Sequence, residues 1–84
     1  AGEVIGKKWG PPGANYLMVT YFDHDPNREG YIPMIKCWAF DSSGRELGNG
    51  FTVMPRWESH REIKIVVNSS DKGIETQVRC RRTQ

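Results

Sequence analysis

Residues 31–54 read YIPMIKCWAFDSSGRELGNGFTVM, and this stretch decides the fold. Two β-rich runs, Tyr31–Phe40 and Leu47–Met54, flank the tetrad Asp41-Ser42-Ser43-Gly44. Asp first and Gly last is the order of a type I turn closed by a residue at positive φ, which glycine adopts at no steric cost. The two runs therefore read as the arms of a β-hairpin. Ile35, Cys37 and Ala39 share one parity of the first arm, and Met34, Lys36, Trp38 and Phe40 the other. Successive side chains leave a strand on opposite faces, so two largely apolar parities predict a central strand covered on both sides.

Working outward, three more runs carry the same β signature: Tyr16–Phe22 (YLMVTYF), Glu62–Val67 (EIKIVV) and Ile74–Arg82 (IETQVRCRR), with Glu3–Lys8 as a sixth candidate. Alternation assigns Ile63, Ile65 and Val67 to the core, along with Ile74, Thr76, Val78 and Cys80, and turns Arg79 and Arg81 outward. Asp25–Gly30 (DPNREG) and Ser70–Gly73 (SDKG) repeat the turn order of Asp41–Gly44. The second of these predicts a hairpin between the last two runs. Trp9–Ala14 (WGPPGA) is a loop by composition, so residues 1–15 read as an extended strap or edge strand followed by a Gly/Pro loop. Pro55–Ile63 (PRWESHREI) would admit a short helix with Pro55 at its first position, but no Gly or Asn closes it and a polar loop is preferred.

Six or seven short strands separated by turns within 84 residues predict one all-β domain. A small immunoglobulin-like β-sandwich of antiparallel strands comes first, and a small OB- or SH3-like barrel is the runner-up. No apolar run is long enough to span a bilayer, and no signal-peptide pattern is present. Charged residues are 26% of the chain and the formal net charge is only +2, so charge alone names no partner. Cys37 and Cys80 both fall on inward positions of different strands. A disulfide of an oxidising compartment and two buried thiols of the cytosol both fit that placement.

From Ile35 to Cys80 the chain resembles the bacterial immunoglobulin-like domains of the FxLYD type. The residues that carry the resemblance are Phe40, Asp41, Gly44, Leu47 and Gly48 of the hairpin, then Pro55, Ile63–Val67 and Ile74–Cys80. It covers a little over half of the chain, which departs from the pattern at Asp23–Gly30, at Pro33 and at Trp57-Glu58. The resemblance implies an envelope-associated, non-catalytic module.

Several constellations are candidates for chemistry. Asp23, Asp25, Asn27 and Glu29 alternate oxygen ligands ahead of Gly30, much as a calcium loop does. Lys36 stands where that loop needs its bidentate Glu, so a polar turn is the simpler reading and calcium the only cofactor candidate. The two histidines, His24 and His60, form no closely spaced pair with each other or with either cysteine, which argues against zinc. No nucleophile motif is present either, so an enzyme is not expected. Lys7, Lys8, Trp9, Arg56, Trp57, Arg79 and Arg81 interleave bases and aromatics as a single-strand-binding barrel would. Asn68-Ser69-Ser70 matches a glycosylation acceptor, which matters only in a secreted eukaryotic protein.

Three functions follow in order. The first is a non-catalytic protein-binding or structural module, secreted, periplasmic or envelope-associated. It would use the loops Asp23–Gly30 and Pro55–Arg61 or an exposed sheet edge, with Trp57, Arg56, Arg61 and Tyr31 as contact residues. The second is a nucleic-acid-binding barrel, and the third a calcium-stabilised extracellular module.

Overall fold

A computed structural model describes residues 2–24, 34–55 and 58–83, with the side chain of Thr83 left aside. Six strands form: β1 (Gly2–Trp9), β2 (Tyr16–Asp23), β3 (Met34–Phe40), β4 (Glu46–Val53), β5 (His60–Val66) and β6 (Gln77–Thr83). They make two antiparallel three-stranded sheets, ordered β1-β2-β5 and β4-β3-β6. The two sheets stack face to face as a small β-sandwich. Among the described residues no ladder joins one sheet to the other, so these strands form a sandwich and not the runner-up barrel. In an immunoglobulin-type Greek key, β1, β2 and β5 take the places of strands A, B and E, and β4, β3 and β6 those of C′, C and F.

The core follows the predicted parities. Leu17, Val19 and Tyr21 from β2, with Ile63, Ile65 and Val67 on and just after β5, face Ile35, Cys37 and Ala39 of β3. Leu47 and Met54, at either end of β4, complete it. Val4, Trp9, Val78 and Cys80 pack against this cluster but stay partly exposed. The hairpin between β3 and β4 turns at Asp41–Gly44 as read, with the Asp41 carbonyl accepting from the Gly44 N–H at 3.0 Å and Gly44 at φ +87°. The Asp41 carboxylate also accepts from the backbone N–H and the hydroxyl of Ser43. These bonds, with the Arg45 guanidinium and backbone N–H beside them, hold Asp41 below the ordinary carboxylate range.

Three expectations are corrected. The last two strands do not form a hairpin: β5 pairs with β2 and β6 with β3, in different sheets. The chain crosses between the sheets through a 3₁₀ turn at Ser69–Asp71, where buried Asp71 accepts from Arg45 Nη2 at 2.9 Å. Gly73 does take positive φ, but it ends a crossover. Ile74 and Thr76 accordingly precede the strand and are exposed, while Val78 and Cys80 point inward as read. Finally, β3 is central, yet among the described residues no second layer covers its outer parity. Met34, Lys36, Trp38 and Phe40 are half-buried. At Pro55–Ile63 the described residues from His60 on are strand, in keeping with a loop before them.

Cys37 and Cys80 are joined in a disulfide. They are direct cross-strand partners on β3 and β6, with Cα atoms 4.0 Å apart. The bond therefore lies within one sheet, whereas the disulfide of antibody domains links the two sheets.

Candidate docking face

The outer parity of the β4-β3-β6 sheet forms ordered rows. Phe51, Lys36 and Arg81 stand side by side on the three strands, and Asn49, Trp38 and Arg79 form the next row. Val53 and Met34 lie beyond the first row, and Phe40 with Gln77 beyond the second. Phe51 is 64% exposed and Val53 43%, so this face presents large apolar side chains to solvent. The Lys36 Nζ lies 5.2 Å from the centroid of the Trp38 ring, and the Arg81 guanidinium 5.8 Å. Both cations are thus drawn to the indole π-face.

Trp38, Phe40, Arg79, Cys80 and Arg81 line a shallow depression of about 430 Å³ on this face, with Glu46 at its margin. Glu46 is the only carboxylate lining it, and its Oε2 accepts from the Asn49 side chain at 2.8 Å. Among the described residues, neither Lys36, Arg79 nor Arg81 forms an ion pair with a carboxylate. The face is therefore aromatic, partly apolar and positive. The outer face of the other sheet differs in carrying both signs, with Glu62 beside Lys64 on β5 and Glu3 and Lys8 on β1.

The described residues among those singled out from the sequence lie on several faces of the molecule. Arg79 and Arg81 lie on this face as read. Lys8 is on the outer face of the opposite sheet, opposite Met18, and Lys7 is exposed on the β1 edge. Trp9 packs on the core and its indole N–H donates to Glu75 Oε1 at 2.8 Å. That engagement corrects the reading of Trp9 as a stacking platform, and the described members Lys7, Lys8, Trp9, Arg79 and Arg81 do not converge on one groove. Arg61 is paired with Glu58 at 2.7 Å. Arg56, Trp57 and Tyr31 lie outside the described residues, as do Asp25, Asn27 and Glu29.

Asp23, the first candidate calcium ligand, is buried at 2% exposure, and its Oδ2 accepts from Arg82 Nη1 at 3.2 Å. A cation already occupies part of its coordination, so here the carboxylate serves an ion pair between β2 and β6. No group of three or more potential metal ligands occurs among the described residues. His24 is exposed, 3.6 Å from Glu3. Asn68 is exposed just before the 3₁₀ turn. No helix among the described residues is long and apolar enough to cross a membrane.

Trp38 and Phe40 were expected to be covered, as part of the second apolar parity of a central strand. The signal that they face solvent was Lys36, a cation in the middle of their parity with nothing apolar to bury it. No protein-family model matches the chain, and neither a curated protein nor a solved structure is significantly similar to it.

Proposed function

We propose that this domain is a non-catalytic module that binds another protein through the outer face of its β4-β3-β6 sheet, in an extracytoplasmic compartment. The observation that carries the reading is the contiguity of exposed Phe51 and Val53 with Trp38 and the cations Lys36, Arg79 and Arg81. Exposed apolar surface rimmed by polar groups marks interaction sites, and aromatic and arginine side chains dominate binding energy. The disulfide supports an oxidising compartment, because such bonds persist there and are reduced in most cytosols. The indole of Trp38 is already engaged by two cations of its own sheet, which favours a protein partner over stacked bases.

Capture from the extracytoplasmic fraction of the native organism tests this, with each variant immobilised at equal density. Phe51→Ser combined with Arg81→Glu should reduce the captured partner about tenfold, as expected for a lost hot spot. Val66→Ser is the control, because Val66 is equally exposed on the opposite sheet and should leave capture unchanged. Equal capture by both variants would remove the face from the function. Tight binding of an oligonucleotide with a steep salt dependence would move the nucleic-acid reading to first place.

A further inference from the structure

We infer that the outer face of the β4-β3-β6 sheet takes an acidic segment of its partner that also carries an apolar residue; this rests on the protein-binding reading above. Carboxylates would seat on Lys36, Arg79 and Arg81, and the apolar side chain against Phe51. The face is divided in just this way. Phe51 and Val53 stand on β4, Arg79 and Arg81 on β6, and Lys36 and Trp38 between them on β3. Neighbouring strands are about 4.8 Å apart, so the apolar and cationic sides are separated by about 10 Å. Arg79 and Arg81 are two residues apart on one strand, which sets their Cα atoms about 7 Å apart. One short segment can reach all of these groups.

The cations are held over the sheet itself. Lys36 and Arg81 are directly opposed in the row beside Trp38, and both approach its indole, at 5.2 and 5.8 Å from the ring centroid. Arg79 lines the same depression as Trp38 and Arg81. The site therefore lies on top of the sheet and not along its margin. A strand added beside β6 would lengthen the rows without covering them. Two like charges drawn to one ring repel each other, and an anion seated between them removes that repulsion. The disulfide fixes the arrangement from below. Cys37 lies between Lys36 and Trp38, Cys80 lies between Arg79 and Arg81, and their bond holds the two rows in register. An incoming anion thus meets cations already in place, and less freedom is lost on binding.

Charge selects the occupant. Among the described residues these rows carry three cations and one carboxylate, Glu46, whose Oε2 already accepts from Asn49. A second copy is disfavoured in any register, because it would bring the same excess of positive charge. A bilayer is disfavoured as well, since basic clusters that hold anionic lipid have about four to eight residues. Carboxylates suit the arginines best, because the planar guanidinium binds them through paired, charge-assisted hydrogen bonds. A purely acidic ligand would leave the β4 side unused. Phe51 is 64% exposed there, and covering it adds hydrophobic stabilisation. A segment that is acidic with an apolar residue nearby serves both sides at once.

The probe is a capped peptide with glutamate at its third and fifth positions, phenylalanine at its ninth, and serine and glycine elsewhere. Four residues span up to about 13 Å, enough to carry the phenylalanine from β6 across to β4. Titrated into the ¹⁵N-labelled 84-residue chain, it should shift the Trp38 indole N–H and the amides of Phe51, Arg79 and Arg81. The amides of Met18 and Lys64, on the opposite sheet, should stay unmoved. Replacing both glutamates by glutamine, or the phenylalanine by serine, should weaken binding about tenfold in each case. On the protein, Arg79→Gln with Arg81→Gln should reduce the preference for glutamate over glutamine to about twofold, and Phe51→Ser should do the same for phenylalanine over serine. The peptide changes leave the protein untouched, so they decide the matter even if a protein variant folds poorly. Equal binding of the glutamate and glutamine peptides, shifts confined to the opposite sheet, or failure of every peptide would overturn the inference. Binding to phosphatidylserine vesicles without any peptide response would give the face to a membrane, and a Phe51-dependent dimer in sedimentation would give it to a second copy. Either result overturns it too. If the peptides fail while capture stays sensitive to Phe51→Ser with Arg81→Glu, the acidic segment alone falls. If capture is insensitive as well, the protein-binding reading falls with it.

Discussion

The two long margins of this sandwich are closed by opposite means. At the β4–β5 margin the sheets meet nearly backbone to backbone. Gly48 and Gly50 point inward there, and a Cβ on either would overlap the carbonyl oxygen of Val66 or of Lys64. At the β1–β6 margin the strands stand further apart and polar groups pin the layers together. Trp9 on β1 donates to Glu75 just ahead of β6, and Arg82 on β6 bonds Asp23 on β2. Lys72 Nζ donates to the carbonyls of Pro11 and Ala14, at 3.0 and 2.6 Å. One margin is sealed by removing side chains and the other is spanned by long ones.

The largest test of that contrast concerns the bond that anchors β6. Closing a loop of 43 residues restricts the unfolded chain, and Cys37→Ala with Cys80→Ala should cost about 4 kcal/mol, read as a lower urea midpoint. An effect under about 1 kcal/mol would mean that the open margin does not depend on the bond. At the sealed margin, Gly50→Ala should cost about 3 kcal/mol, since the neighbouring carbonyl is backbone and cannot swing aside. Gly6→Ala on β1 is the matched control. Its added Cβ would meet nothing closer than Thr20 Oγ1 at 3.9 Å, and the change should stay within about 0.5 kcal/mol. Equal losses at the two glycines would erase the distinction between the margins.

Arg82→Met probes the polar pins. It removes the Arg82 cation from the buried Asp23 carboxylate, and the cost should be about 2 kcal/mol. That is below the usual figure for a buried pair because the Arg82 side chain remains 29% exposed to screening water. Thermal melts of Arg82→Met and of Arg82→Met with Asp23→Asn decide it. The double variant should recover part of the loss, and no recovery would mean that Arg82 acts through packing alone.

Local rules made much of this architecture legible in the sequence. The Asp41–Gly44 turn and the parities of Ile35–Ala39 and Ile63–Val67 are set by neighbours within a few residues, and each forms as read. What was not legible depended on distant partners. The order Ser70–Gly73 is locally the same as that of the first hairpin, yet the chain crosses sheets there because β2 and β3 outcompete β5 and β6 as partners for each other. The pairing of Asp23 with Arg82 could not be read from its neighbours, because Arg82 lies 59 residues away. Gly48 and Gly50 read only as members of the strand run Leu47–Met54. Their role appears only once β5 is laid across them. The docking face was half legible: Arg79 and Arg81 were turned outward by parity, but Trp38 passed for a covered residue because aromatic residues serve both purposes.

The smallest expected effect lies at the end of the spanned margin, in the phenol of Tyr21. Burial raises its pKa above the ordinary value near 10.0, the charge of Asp23 adds to the rise, and Arg82 opposes it. The unfolded chain therefore loses the phenolic proton at lower pH than the folded one. Stability from this group is complete below about pH 10 and falls as the pH climbs through 10 toward the folded value. Urea midpoints of the wild type and Tyr21→Phe should thus converge or cross between about pH 9 and 11, because phenylalanine has no proton to lose. Arg82→Met removes the one opposing charge and should steepen the wild-type decline. Parallel curves for the wild type and Tyr21→Phe would mean that the ring is solvated in the folded chain, and that the spanned margin admits water at this end.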